Sequence, residues 1–162
     1  MALNKSFISI LDALSAAITA DADVSAFCQA QYGKALTIRY GVREVKEIPA
    51  EMCPMVLMTR VEQEPKLIGG MMGEMSDKVL LYILIFNNGE NSGELPNIQP
   101  GFIDVTTLEE LVDQAVQRAD NLGGLVKQIK PLGSGYDEGS NYPRFAVVKG
   151  IEILWETNLL SR

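Results

Sequence analysis

An apolar run of eight residues, VLLYILIF at 79–86, constrains this chain more than any other feature. The run is far shorter than the ~20 residues that a helix needs to span a bilayer. It is typical of a β-strand inside a sheet. Because no polar residue interrupts the run, we expect this strand to be buried on both faces or to be covered by another subunit.

The chain has 162 residues, enough for one domain with a substantial core, and we predict a single domain over 1–162. Its composition, 47% hydrophobic and 22% charged, is that of an average globular protein, which argues against wholesale disorder. The N-terminal sequence MALNKSFISILDALSAA resembles a signal peptide only superficially, since Asp12 interrupts its apolar part. We therefore expect an amphipathic helix there, and a cytoplasmic protein.

The charge balance argues against nucleic acid as a direct partner. The formal net charge is −7, from 14 Lys and Arg against 21 Asp and Glu. An acidic chain gains little from neutralising phosphates, so we expect no sequence-specific binding of nucleic acid. We also expect no membrane partner.

Two helices are predicted at the start of the chain. Apolar residues recur at helical spacing over 3–18, which predicts an amphipathic helix. Asp21 and Asp23 are N-cap candidates for a second short helix that runs to about Tyr32, and Gly33 suits its C-terminal end.

The middle of the chain predicts three strands separated by connectors. Alternating apolar residues indicate a strand at 35–42, and a second strand is predicted at 54–61, before the apolar run at 79–86. The segments at about 62–78 and 87–105 carry charges, glycines and turn residues, and we interpret both as mobile loops.

The last third predicts a helix and two strands. Thr106 and Thr107 open the helix with a capping box, and the Gly123–Gly124 pair ends it. A weaker strand is predicted at 125–132, then a loop at 133–141 and a long strand at 143–156. One face of that last strand is apolar and consists of Phe145, Val147, Ile151, Ile153 and Trp155.

The resulting order, α-α-β-β-β-α-β-β, decides the fold class. Strands occur in neighbouring runs, and helices do not strictly alternate with them. We therefore predict an α+β fold with a mainly antiparallel or mixed sheet of about five strands and helices packed on one face.

The residues that usually carry enzyme chemistry are scarce. The chain has no histidine, which removes the commonest general base and the usual zinc and iron ligand. Cys53 lies between Met52 and Pro54 with Glu51 nearby, where nothing lowers the pKa of its thiol, so we interpret Cys53 and Cys28 as buried apolar residues. No glycine cluster matches a phosphate-binding motif. We predict no enzyme activity, no catalytic residue, no metal and no cofactor.

Candidate interaction residues come from the loops and the strand arginines. Methionines in a glycine-containing connector suit a protein contact or plain loop packing. Four arginines on or beside strands, Arg39, Arg43, Arg60 and Arg144, are either solvated surface charges or partners for acidic groups of another subunit. We predict that charge reversal at Arg60 or Arg144 weakens oligomerisation more than folding. The candidates are Arg39, Arg60, Met71, Met72, Met75, Glu90, Glu94, Phe102 and Arg144.

The order of elements resembles the tail terminator, or tail-completion, proteins of long-tailed bacteriophages and prophages. An amphipathic helix and a short helix ending near QAQYGKALTIRYG precede the strand EMCPMVLMTRV and the apolar strand VLLYILIF. A capped helix, TTLEELVDQAVQRA, and a last strand within YPRFAVVKGIEILWE follow. The resemblance covers most of the chain as an order of elements, and its motifs are weak. The connector at 62–78 and the loop at 87–105 match no motif of the family.

The resemblance implies a structural protein without a chemical step. Copies would form a ring, typically a hexamer, that caps the tail tube, stops its elongation and offers a surface to head-connector or neck proteins. It would assemble in the bacterial host cytoplasm and stay in the virion tail. Two alternatives stay open: another head–tail joining (neck) protein, or a small cytosolic enzyme or ligand-binding regulator. The last predicts a deep pocket in which Arg39, Arg60 or Arg144 converge with carboxylates.

Overall fold

A mixed five-stranded sheet, with helices on one face, forms the framework in a computed structural model. The structure describes residues 6–41, 44–68, 71–89, 100–137 and 141–156, except for the side chains of 67, 68, 71 and 72. Three helices and five strands occur within these residues, in the predicted order. They are α1 (Phe7–Ala20), α2 (Ala22–Tyr32), β1 (Thr37–Tyr40), β2 (Met55–Ile68), β3 (Met71–Phe86), α3 (Pro100–Ala119), β4 (Gln128–Tyr136) and β5 (Arg144–Glu156).

The strand order across the sheet is β1-β2-β3-β5-β4. β1 runs parallel to β2, whereas the β2–β3, β3–β5 and β4–β5 pairs are antiparallel. The predicted α+β class, with a mixed sheet, is therefore confirmed. The apolar run at 79–86 lies in β3, which is the central strand.

The second helix lies where its sequence predicts, whereas the first spans Phe7–Ala20 and not 3–18. The Ser6 hydroxyl accepts a hydrogen bond from the backbone N–H of Ser9 and caps α1. The Asp21 carboxylate caps α2 by accepting from the N–H groups of Asp23 and Val24. Gly33 ends α2 with a φ of +67°, a left-handed conformation that glycine adopts without strain.

The main core lies between the helices and one face of the sheet. The odd-numbered residues of β3, from Val79 to Ile85, are fully buried there. The predicted apolar face of β5 packs in the same core. Gly101 of α3 lies so close to the Phe145 ring that a Cβ at that position would be 2.1 Å from it. Close packing of α3 on β5 thus fixes this side of the core.

The connector predicted at about 62–78 is instead part of a long hairpin. β2 continues to Ile68 and β3 begins at Met71, and Glu62 pairs in register with Lys78. A β-bulge separates Arg60 from Glu62. The prediction failed because exposed residues follow one another on β2 here, so the segment lacks the alternation of a half-buried strand.

The third helix begins six residues earlier than predicted. α3 starts at Pro100 and not at Thr106, so the end of the predicted 87–105 loop is helical. Proline suits the first turn of a helix because its missing N–H has no helical partner there anyway. Residues 87–89 have no regular structure, and 90–99 lie outside the described residues.

The edge strand β4 also begins and ends later in the chain than predicted. β4 spans Gln128–Tyr136 and not 125–132, so the first part of the predicted 133–141 loop is strand. A register shift between Pro131 and Ser134 interrupts its pairing with β5. Because a bulge and a proline weaken the periodic signal, the sequence pattern placed the strand too early.

Candidate interaction surface

The face of the sheet opposite the helices is only partly covered, and we call it the open face. Its uncovered part includes half-buried apolar side chains on the two central strands: Leu80, Tyr82, Val148 and Leu154. Leu132 of β4 lies over Gly150 on the same face. Three of the eight side chains in the apolar run, those of Leu80, Tyr82 and Phe86, are only partly buried, so the expectation of burial on both faces is wrong at these positions. The alternative, that another subunit covers this face, stays a prediction.

One end of the open face is covered by the segment 44–54. Ile48 and Cys53 pack there against Met55, Leu84 and Ala146 in a second, smaller core. Arg144 of β5 binds this segment to the sheet, because its Nε donates a hydrogen bond of 2.8 Å to the carbonyl oxygen of Ile48. Tyr82 and Phe86 pack against this core while staying partly exposed, and none of the three helices contributes a described residue to it.

A row of alternating charges crosses the uncovered end of this face. Glu62, Lys78, Glu152 and Lys130 are direct neighbours on β2, β3, β5 and β4. The Nζ of Lys78 lies 2.9 Å from Oε2 of Glu62. The carboxylates of Glu62 and Glu152 raise the pKa of Lys78, with the Glu62 hydrogen bond the largest cause. We call these four residues the charged row.

A small cavity lies beside β1 at the edge of the covered region. Its volume is about 230 Å³, below the roughly 300–1,000 Å³ of typical ligand sites. Among the described residues its lining consists of Arg39, Tyr40, Gly41, Ile48, Met52, Met55 and Leu57, of which Arg39 is charged. In the part of the lining that the structure describes, the cavity thus combines an apolar floor with the Arg39 cation and contains no carboxylate.

Both cysteines are buried and carry free thiols, as the sequence analysis predicts. Burial raises the pKa of the Cys28 thiol to about 11. Burial also raises the pKa of Cys53, although the charges of Lys34 and Arg144 partly oppose the shift. A raised pKa disfavours the thiolate, which is the nucleophilic form.

Arg60, a predicted interaction residue, binds a carboxylate of its own chain. Its Nε lies 2.9 Å from Oδ1 of Asp77, an ion pair whose angle is outside hydrogen-bond geometry. The Arg60 guanidinium also lies over the Phe7 ring, 3.6 Å from its centre. Asp77 is fully buried, and its other oxygen accepts hydrogen bonds from Trp155 and Gln63. This network was not predicted from the sequence, because Asp77 lies in the segment that was predicted as a connector.

The other predicted interaction residues do not converge on one site. Arg144 and Arg39 lie near the covered end of the open face, where Arg144 also lies 5.6 Å from the Phe86 ring centre. Met75 packs against the main core, whereas Phe102 on α3 is 52% exposed. The side chains of Met71 and Met72, and all of Glu90 and Glu94, lie outside the described residues.

A buried ion cluster joins β5 to α3, and the sequence analysis missed it. The Nζ of Lys149 lies 2.8 Å from Asp113 Oδ1 and 3.4 Å from Glu109 Oε1. Burial works to lower the pKa of Lys149, but Asp113 and Glu109 together raise it. The sequence does contain one indication of this cluster. Lys149 lies between Val147 and Ile151 on the apolar face of β5, where a buried lysine requires an acidic partner.

Comparisons with known proteins add no family. A scan against protein-family models found no match, and neither did a search of curated protein sequences. Among the described residues, no helix combines the length and apolarity needed to cross a bilayer. The same residues contain no group of three or more side chains arranged to hold a metal ion.

Proposed function

We propose that this chain is a structural assembly protein of a bacteriophage or prophage tail and acts as a tail terminator. Copies form a ring, typically a hexamer, that caps the tail tube and stops its elongation. The ring then offers a surface for joining the head through connector or neck proteins. The work is binding, with no chemical step, and takes place in the host cytoplasm.

The single observation that carries this proposal is the open face of the sheet. Leu80, Tyr82 and Val148 expose apolar surface at the centre of the molecule, bounded by the charged row on one side. Apolar patches rimmed by polar groups are typical of protein–protein contacts. The order of elements also agrees with the order on which the resemblance to tail terminators rests.

The arrangement of the arginines favours assembly over ligand binding. The ligand-binding alternative predicts a deep pocket where arginines and carboxylates meet. Arg60 pairs with Asp77 on the helix side of the sheet, whereas Arg39 lines the small cavity on the open-face side. Both cysteine thiols are buried, and burial raises the pKa of each, which disfavours the nucleophilic thiolate.

Native mass measurement with and without the tail-tube protein of the same genome tests the proposal. We expect the chain to form a closed oligomer and to bind tube ends. A chain that stays monomeric and binds no tube would contradict it. A closed oligomer that binds a connector protein and ignores the tube would instead favour the neck-protein alternative.

A further inference from the structure

We infer that copies of this chain join through two different surfaces, with Phe102 of one copy seated in the small cavity beside β1 of the next copy, next to Arg39. The contact rests on the proposed function and deepens it, because it assigns the two surfaces that close the ring. Phe102 is exposed on α3, and the cavity lies on the opposite side of the sheet.

The cavity has the size of one aromatic ring. Its volume is about 230 Å³, and a cavity of about 150 Å³ is large enough to hold a benzene molecule. Its floor is apolar, since Met55 and Leu57 of β2 belong to the smaller core on the open face. A phenyl ring that enters the cavity exchanges water for an apolar surface, as a buried anchor residue at the centre of an interface does.

Arg39 supplies a second reason for an aromatic occupant. Two other arginines of the sheet lie near phenylalanine rings: Arg60 is 3.6 Å from the ring centre of Phe7, and Arg144 is 5.6 Å from that of Phe86. Within the described residues the Arg39 side chain has neither a ring nor a carboxylate as partner and donates only to a backbone carbonyl. A guanidinium is attracted to the face of an aromatic ring, so a ring in the cavity gives Arg39 the kind of partner that the other two have.

Phe102 is held in a position from which it can serve as that ring. It is the most exposed of the chain's five phenylalanines. Gly101 before it packs on Phe145 without room for a Cβ, which fixes the first turn of α3 against β5. Ile103 after it is exposed as well. An aromatic side chain on a fixed helical turn loses little conformational freedom when it binds.

The two surfaces cannot meet within one copy. The first turn of α3 packs on Phe145 in the main core, on the helix side of the sheet, whereas the floor of the cavity belongs to the open face. Each copy therefore uses its Phe102 on one neighbour and its cavity on another. A heterologous contact of this kind forms a ring when the rotation between copies closes. The two sides of such a ring differ, as a protein requires that meets the tube on one side and the head on the other.

The contact also accounts for the apolar patch of the open face. Leu57 in the floor of the cavity is paired in register with Tyr82, which stays half-buried on that face. A neighbouring copy seated in the cavity therefore covers the adjoining part of the open face.

Two single variants each remove one side of the contact. Phe102→Asp replaces the ring at an exposed position, and Met52→Trp fills the cavity from its own lining. We expect each to raise the Kd between copies roughly thirtyfold or more, the loss typical of a central anchor residue. Ile8→Asp is the matched control, because Ile8 is similarly exposed on α1 and lies outside the contact. We expect the mass of the Ile8→Asp assembly to equal that of the wild type.

Mixing the two variants tests the heterologous geometry. Phe102→Asp retains an intact cavity and Met52→Trp retains an intact Phe102, so the mixture can form one contact and no second. Native mass spectrometry is expected to show monomers of each variant alone and a 1:1 heterodimer of the mixture that grows no further. Circular dichroism checks folding. If Met52→Trp does not fold, Arg39→Glu at an exposed position takes its place.

The outcomes separate this contact from the proposed function. A wild-type ring that caps tubes and keeps its mass in both variants overturns the contact and leaves the tail-terminator proposal in place. A mixture that yields no heterodimer also overturns the contact. Wild-type oligomers that dissociate in Phe102→Asp and yet ignore tube ends support the contact and contradict the tail-terminator proposal. A wild-type chain that never associates overturns both.

Discussion

The indole N–H of Trp155 donates a hydrogen bond of 2.6 Å to Oδ2 of Asp77, a carboxylate that is fully buried. The two residues lie on β5 and β3, and with Arg60 of β2 they connect three strands of the sheet. A buried carboxylate requires such partners, since an unpaired charge in the interior is very unfavourable. This network therefore holds the hairpin of β2 and β3 to the last strand.

A double-mutant cycle measures the contribution of the Trp155–Asp77 hydrogen bond to the free energy of unfolding. We expect Trp155→Phe to lower the free energy of unfolding by about 1–3 kcal/mol, because it leaves a charged acceptor with one donor fewer. The loss is expected to be smaller in the background of Asp77→Asn. Urea unfolding must be followed by circular dichroism, since Trp155 is the chain's only tryptophan. Equal losses in both backgrounds would show that the bond contributes nothing.

Charge reversal at Arg60 is expected to act on folding. The sequence predicted a larger effect on oligomerisation, but the structure pairs Arg60 with Asp77 of the same chain. Arg60→Glu places a second carboxylate beside a buried one, so we expect a loss of about 3 kcal/mol or more in unfolding free energy. The matched control is Arg39→Glu, because Arg39 bonds only to the neighbouring Ile38 carbonyl among the described residues. Thermal unfolding of both variants, with their masses, decides between the two effects.

Alkaline pH is expected to destabilise the chain partly through Cys28. Burial raises the pKa of this thiol from 9.0 to about 11 in the folded state. A group with a raised pKa stabilises the fold fully below its unfolded value, and the contribution is lost as pH rises through 9.0 to about 11. The amount is about 2–3 kcal/mol for a shift of this size.

Cys28→Val removes that titration and supplies the comparison. Urea unfolding from neutral pH to about pH 11 should give a shallower decline for the variant than for the wild type. Other groups lose stability over the same range, among them Tyr32, whose pKa is raised by burial and by Asp104. Cys28 is itself one cause of the raised pKa of Tyr32, so Cys28→Val also reduces the Tyr32 contribution and makes the decline shallower still. Identical declines would mean that the thiol ionises equally in the folded and unfolded states.

Gly101 tests the packing of α3 on β5. A Cβ at this position would lie 2.1 Å from the Phe145 ring, so Gly101→Ala forces the helix or the ring to move. We expect a loss of about 1–3 kcal/mol, which exceeds the gain in helix propensity. Gly133→Ala is the control, since a Cβ there meets no atom within 4 Å. If both variants unfold at the same urea concentration, the close contact is not present in solution.

The order of the elements could be predicted from the sequence, because each has a local cause. Ser6 and Asp21 cap the first two helices through their own side chains, and Gly33 ends the second with a left-handed backbone. In β5 the odd-numbered apolar residues, such as Val147, Ile151 and Ile153, indicate which face of the strand packs against the helices. None of these signals depends on residues far away in the chain, so a pattern along the sequence is sufficient.

The distal half of the β2–β3 hairpin could not be predicted in the same way. Its residues on β2, from Arg60 to Lys66, are exposed, so their identity is set by cross-strand pairs such as Glu62 with Lys78 and not by a core. The Gly69–Gly70 pair between the two strands was the available hairpin signal. The charged row depends on the order of strands in the sheet, which long-range pairing decides. The candidate surface was therefore visible in sequence only as the expectation that another subunit covers β3.

The most direct test of the central claim is the length of tail tubes assembled in the presence of this chain. Tube protein from the same genome is polymerised with and without the purified chain, and tubes are measured by electron microscopy. We predict shorter tubes with a ring at one end, and growth that stops once the ring is bound. Tubes of unchanged length, without added density at either end and with the chain free in solution, would contradict the account.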